Sequence, residues 1–209
     1  VPAGALLFSG EALKPLSKRI IYRLPFSEAL AAAMMSVRSL APYLEKKGIA
    51  WRTFLEKRWE LAFTEAGDAA AHATGAPEAL PKVSWEPSET DRYIVDGKAA
   101  KVLCGSLAGT PVEMQDVTIT TKAPQSASIV VVSCDGKPLR DSGNILITAC
   151  GRCENTGMGW NEERTSVGNS WGEPPVKIEV VQSAFTLKTN RRGLQVFALD
   201  ERGQIKSAL

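Results

Sequence analysis

Histidine is almost missing from this chain. His72 is the only one, so multi-histidine metal centres and histidine-pair chemistry are excluded. Cysteine is scarce as well: four residues in 209 are too few for a disulfide scaffold. No stretch reaches the roughly 18 consecutive apolar residues that a membrane-spanning helix needs. Charge of one sign is also lacking. Lys and Arg number 25 against 23 Asp and Glu, for a net +2 without basic clusters, which argues against a nucleic-acid binder. Neither G-x-G-x-x-G nor a Walker A sequence occurs, so no nucleotide-cradling loop and no cofactor are expected. The start, Val1 to Leu7, is apolar but lacks the basic region and length of a signal peptide. It also lacks an initiator methionine, so the expectation is a trimmed chain or a piece of something longer.

What is present is ordinary globular material, 44% hydrophobic and 23% charged, enough for one or two domains with a sizeable core. The pattern predicts an α+β chain: a helical N-terminal segment over residues 1–82, then an antiparallel β-sandwich of jelly-roll or immunoglobulin-like type over 83–209. In the first part, Leu6–Phe8 and Arg19–Leu24 read as short strands. Ser27 can N-cap a helix through the alanine-rich Glu28–Leu40. Trp51, Leu55, Trp59 and Phe63 recur every fourth residue with charges between them, which reads as an amphipathic helix. Its aromatic stripe serves either as packing against the preceding helix or as a docking surface. Gly67 to Pro81 reads as a connector holding His72, with Asp68 four residues before it as a local partner; a catalytic role for that histidine has no second group to support it.

From Val83 the period changes to two. Strands are expected at Arg92–Val95, Ala100–Cys104, Val112–Thr120, Ala127–Ser133, Asn144–Cys150, Val176–Val181, Ala184–Lys188, Leu194–Leu199 and Gln204–Ser207. Turn signals separate them at Asp135-Gly136, Asp141-Ser142-Gly143, Asn190 to Gly193 and Asp200 to Gly203.

Between Cys150 and Val176 the strand pattern stops, far beyond the roughly 12–15 residues at which structureless loops become uncommon. This loop holds Trp160 and Trp171, the carboxylates Glu154, Glu162, Glu163 and Glu173, the amides Asn155, Asn161 and Asn169, and five glycines. Aromatic faces beside carboxylates and amides are what a sugar site uses, for stacking and for hydroxyl hydrogen bonds. The candidate binding set is Trp160, Trp171, Asn155, Asn161, Glu154, Glu162 and Arg164. A hydrolase would need two carboxyls about 5–5.5 Å or about 6.5–9.5 Å apart. Glu162 and Glu163 are adjacent and point to opposite faces of extended chain. A working pair would therefore combine Glu154 or Glu173 with one of them. The alternatives are a freestanding carbohydrate-binding module with Trp160 or Trp171 as the stacking platform, and a structural or interaction domain whose ordered loop covers a sheet edge or docks on a neighbour. Cys150 and Cys153 form one C-x-x-C, half of what a structural zinc usually takes. Reduced structural thiols, a disulfide and metal or redox chemistry remain as readings, and no metal site is expected.

The run ILITACGRCENTGMGWNEERTSVGNSWGEPPVKIEVV, residues 145–181, resembles the C-terminal β-domain of large multidomain bacterial glycoside hydrolases known mostly from genomes and metagenomes. The resemblance is carried by Glu154–Met158, Trp160–Glu162, Arg164–Gly168, Trp171–Glu173 and Pro175–Val176. Val112–Thr118, Ser133–Leu139 and Val196–Gly203 are similar to the same domain, and Ala5–Tyr22 to the stretch after the catalytic barrel. The cysteine positions and the alanine-rich Ala29–Ala73 depart from the family. The resemblance implies an accessory β-domain whose partner, in the same polypeptide or a separate chain, is a (β/α) barrel. Such a barrel, roughly 250 residues, does not fit in this chain. It also implies catalytic carboxyls in that barrel, contact with an oligo- or polysaccharide, and a periplasmic or secreted setting.

Overall fold

The computed structural model describes residues 7, 19–28, 45–49, 58–65, 70–74, 82–86, 92–107 and 109–209. Strands make up 51% of them, and helix is confined to short pieces such as 26–28. The expected α+β class with a helical N-terminal segment is thereby corrected. The chain is β-rich, in several small sheets. It divides into two units, Lys14–Leu80 and the remainder, Val1–Leu13 with Pro81–Leu209.

In the first unit, β1 (Arg19–Pro25) lies between β2 (Arg58–Thr64), which it pairs in parallel, and β3 (Ala70–Thr74), which it pairs antiparallel. Tyr22, Leu24 and Ile49 form a small buried cluster, with Trp59 packed against it. The predicted helix through Trp59 and Phe63 is a strand instead. A spacing of four is also twice the strand period, so Trp59, Leu61 and Phe63 alternate with Glu60 and Ala62 along a pleat. Aromatic and β-branched content (Trp59, Phe63, Thr64) favours that outcome. Trp51 and Leu55 lie outside the described residues, as does nearly all of Glu28–Leu40. His72 sits in β3 opposite Ile21, so the connector expected over 67–81 contains a strand. Leu7, expected in a strand, is helical.

The second unit is built on a five-stranded antiparallel sheet in the order β10-β9-β6-β5-β4: β4 (Lys82–Glu86), β5 (Arg92–Asp96), β6 (Ala100–Ser106), β9 (Ser126–Ser133) and β10 (Ile145–Cys150). A three-stranded sheet, β13-β8-β7, comprises β7 (Val112–Glu113), β8 (Val117–Ala123) and β13 (Gln182–Leu187). One apolar cluster joins the two. Leu103 of β6 and Ile129 and Val131 of β9 pack with Val117 and Ile119 of β8 and with Leu139 from the β9–β10 loop. Each such side chain contributes about 1.5–3 kcal/mol on burial. The expected alternation in β8 is present: Val117, Ile119 and Thr121 are buried and the residues between them are not. All nine segments expected as strands from Arg92 onward overlap a strand.

Lys101 follows the inward face of β6 and is fully buried at the end of this core. Its Nζ donates to Asp96 Oδ1 at 2.5 Å and to the Gly97 carbonyl at 2.7 Å. Asp96 Oδ2 in turn accepts the Gln115 N–H at 3.0 Å, from the turn between β7 and β8. One buried ion pair therefore closes the β5–β6 hairpin and reaches the other sheet.

The β9–β10 loop is fastened by Asp135. Its carboxylate accepts hydrogen bonds from Gly143 N–H at 3.0 Å and from the Ser142 and Ser133 hydroxyls at 2.8 Å each. These donors, the Gly143 N–H foremost, then Ser142 and Ser133, hold the Asp135 carboxyl far below the usual carboxylate range. The loop is also tied to the chain that follows β13: Asn190 Nδ2 donates to Asp141 Oδ1 at 2.8 Å, and Arg191 Nε to the Asp141 carbonyl at 2.9 Å.

Two outcomes follow. Asp96→Ala strands the Lys101 ammonium in the core and should cost about 3–5 kcal/mol, whereas Lys101→Met should cost clearly less; urea unfolding midpoints measure both. Asp135 binds its proton less readily when folded, so its contribution is full above the ordinary value of 3.8 and fades as pH falls below it. Asp135→Asn should therefore melt lower than the parent at pH 7, with a gap that narrows in acid; a series of thermal melts checks this.

Candidate functional site

The segment predicted as a long loop is a two-stranded arm. β11 (Cys153–Thr156) pairs antiparallel with β12 (Glu173–Ile178), so only 157–172 are loop. The expected strand Val176–Val181 overlaps the end of β12, whereas Cys153–Thr156 and Glu173–Pro175 carry no apolar period and so read as loop. β11 continues from β10 across Gly151-Arg152, and β12 leads into β13 across Glu179 to Val181. The pairing carries on past β11, with Glu179 N–H donating to the Arg152 carbonyl at 2.8 Å.

The register divides the arm into two faces. Cys153 with Ile178 and Asn155 with Val176 share one, and Glu154 with Lys177 the other. On the charged face, Glu154 Oε1 lies 2.7 Å from Arg152 Nε and 2.6 Å from Arg164 Nη2. Its Oε2 accepts the Trp160 indole N–H at 3.2 Å. The Arg164 guanidinium carbon stands 5.1 Å from the Trp160 ring centroid, a cation–π contact. Partial burial pushes the Glu154 carboxyl up. The Trp160 N–H and the Arg152 and Arg164 charges outweigh it and hold the carboxyl below its ordinary value. An open depression of about 290 Å³ lies alongside, lined in part by Arg152, Glu154, Met158, Lys177 and Glu179.

Asn161 winds the tip. Its Oδ1 accepts the backbone N–H groups of Thr165 at 2.8 Å and Ser166 at 3.0 Å. Its Nδ2 reaches Glu163 Oε2 and Thr165 Oγ1, both at 3.0 Å. That is the local side-chain-to-backbone bonding by which asparagine favours turns. Asn155 Nδ2 donates to the Trp171 carbonyl at 2.9 Å, tying the loop's end to its start. At Gly172, φ is +70° and an added Cβ would fall 2.4 Å from the Thr156 carbonyl oxygen, so only glycine fits. Next to it the Trp171 side chain is 62% exposed.

Of the sequence-derived candidates, the structure brings Glu154, Trp160 and Arg164 together and makes Asn155 and Asn161 loop fasteners. Glu162 and Glu173 are exposed, and neither shares a partner with Glu154. Trp160 has its N–H committed and one face under Arg164, which leaves Trp171 as the open ring. Arg152 was missed; its place two residues before Glu154, on the same face of a strand, was the available signal. All four cysteines are free thiols. Among the described residues no group of three or more His, Cys, Asp or Glu side chains could hold a metal ion. Compared with known protein families, curated proteins and solved structures, the chain has no match.

Gly172→Ala should cost about 1–3 kcal/mol through backbone strain alone. It should also alter the near-ultraviolet circular dichroism of the neighbouring tryptophans, whereas Glu162→Ala should leave both melting and spectrum unchanged.

Proposed function

We propose that this chain is an accessory β-domain of a carbohydrate-active enzyme. It supports a catalytic (β/α) barrel outside this sequence and lines one edge of that barrel's saccharide cleft. The state of Glu154 carries the reading. A glycosidase acid needs a carboxyl whose pKa is raised so that it holds a proton to give. Glu154 is instead lowered and ion-paired to two arginines. A lowered, doubly ion-paired carboxyl does not suit the acid role, and the group the arm presents openly is Trp171, on a loop fastened by Asn155 and Asn161. An open indole face suits the C–H face of a sugar ring, by stacking. The resemblance of residues 145–181 supplies the enzyme class.

A purely structural docking domain is the second reading. It is favoured by the apolar face of the arm, where Val176, Ile178 and Val180 are 53%, 64% and 74% exposed. Uncovered apolar patches of this kind mark interaction surfaces.

Affinity electrophoresis of the full chain through gels containing soluble polysaccharides separates the readings. The accessory role predicts retardation by at least one polysaccharide, lost in Trp171→Ala and kept in Glu154→Gln, with no turnover of aryl glycosides by any of the three proteins. Retardation by none favours the docking domain. Turnover that Glu154→Gln abolishes overturns both.

A further inference from the structure

Sheet edges carry unpaired N–H and C=O groups, and proteins blunt them with proline, charge, bulges or shortness. Most described edges of the second unit are blunted in this way. β4 is five residues long, bears Lys82 and Glu86, and is flanked by Pro81 and Pro87. β13 has a register shift at Gln182/Ser183. β12 contains Pro174-Pro175, and β15 (Ile205–Ala208), which pairs with β14 (Phe197–Leu199), carries Lys206. The edge formed by β10 has none of these. From Asn144 to Gly151 the sequence NILITACG holds no charge and no proline, and its pairing with β9 has no bulge.

Among the described residues nothing pairs with the outer side of β10, and the groups it presents there can be assigned. The Asn144 carbonyl accepts the Cys134 N–H, so even-numbered residues face β9. Ile145, Ile147 and Ala149 therefore aim their backbone groups outward. Ile147 is also 42% exposed, a large apolar side chain at the middle of an open strand.

We propose that β10 is an association edge that pairs antiparallel with β10 of a second copy of this chain, joining the two five-stranded sheets into one. A second copy is the occupant because the strand is its own complement. Centred on Ile147, the outward register sets Ile147 opposite itself, Ile145 opposite Ala149, Leu146 opposite Thr148 and Asn144 opposite Cys150. Every pair is uncharged, so no like charges oppose across the two-fold axis. Odd-numbered pairs exchange backbone hydrogen bonds. Even-numbered pairs are the closer, non-hydrogen-bonded kind.

Sedimentation equilibrium of the full chain under reducing conditions should give a dimer at micromolar concentration. Ile147→Lys, which sets two ammonium groups face to face, and Ala149→Pro, which removes an outward N–H, should each give monomers with unchanged far-ultraviolet circular dichroism. In a Cys134→Ser background, which removes the thiol facing position 144 from the β9 side, Asn144→Cys should form an intermolecular disulfide with Cys150 under mild oxidation, and the same variant with Cys150→Ser should not. That cross-link reads the register even where Ala149→Pro fails to fold. A wild-type monomer across the concentration range overturns the proposal. So does a dimer insensitive to Ile147→Lys and lacking the cross-link, which would put the contact elsewhere, the exposed β14–β15 hairpin being the next surface.

Discussion

The second unit hangs on a charge that its core should reject. Lys101 lies where the inward face of β6 calls for an apolar side chain, and it is tolerated only because Asp96 and the Gly97 carbonyl wait for its ammonium. Removing a lysine from water costs several kcal/mol, which close pairing with a carboxylate offsets. The pairing is also directional, as an apolar contact is not. Asp96 uses its second oxygen on Gln115, so the placement of one sheet's hairpin is referred to a turn of the other. The apolar cluster gives the unit its stability. The ion pair adds a directional tie between the β5–β6 hairpin and the β7–β8 turn.

Asp135 solves a similar problem just beyond the same end of β9, where Lys101 lies opposite Val131. The β9–β10 loop would be expensive to order by itself, yet Leu139 must reach the core. Two serine hydroxyls and a backbone N–H converge on one carboxylate and hold the loop while Leu139 packs. The D-G and D-S-G signals in the sequence marked the turns there. They did not show that Asp135 from one turn would reach Ser142 and Gly143 of the next.

Legibility followed burial. Strands with one buried face, such as β8, or nearly two, such as β9, wrote a clear period into the sequence and could be placed within a few residues. β11 and the start of β12 face water and carry no hydropathy period, so they read as loop; only from Val176 onward does β12 show one. β2 failed for another reason: Trp59 and Phe63 satisfy a helix and a strand equally, and only the parallel partner β1 decides between them. The site was half legible. Residue types singled out Glu154, Trp160 and Arg164, but as a sugar-facing set. That they spend their polar groups on one another depends on Arg152 and on the wound tip, which no spacing rule reveals.

The arm has one more consequence, which is mechanical. Its two strands are rooted in different sheets, β11 in the run from β10 and β12 in the run into β13. The arm is therefore a pair of tongs whose handles are the two layers of the core. The spacing and twist of those layers set where the arm's two strands start, and the β11–β12 ladder fixes Trp171 at the far end relative to both.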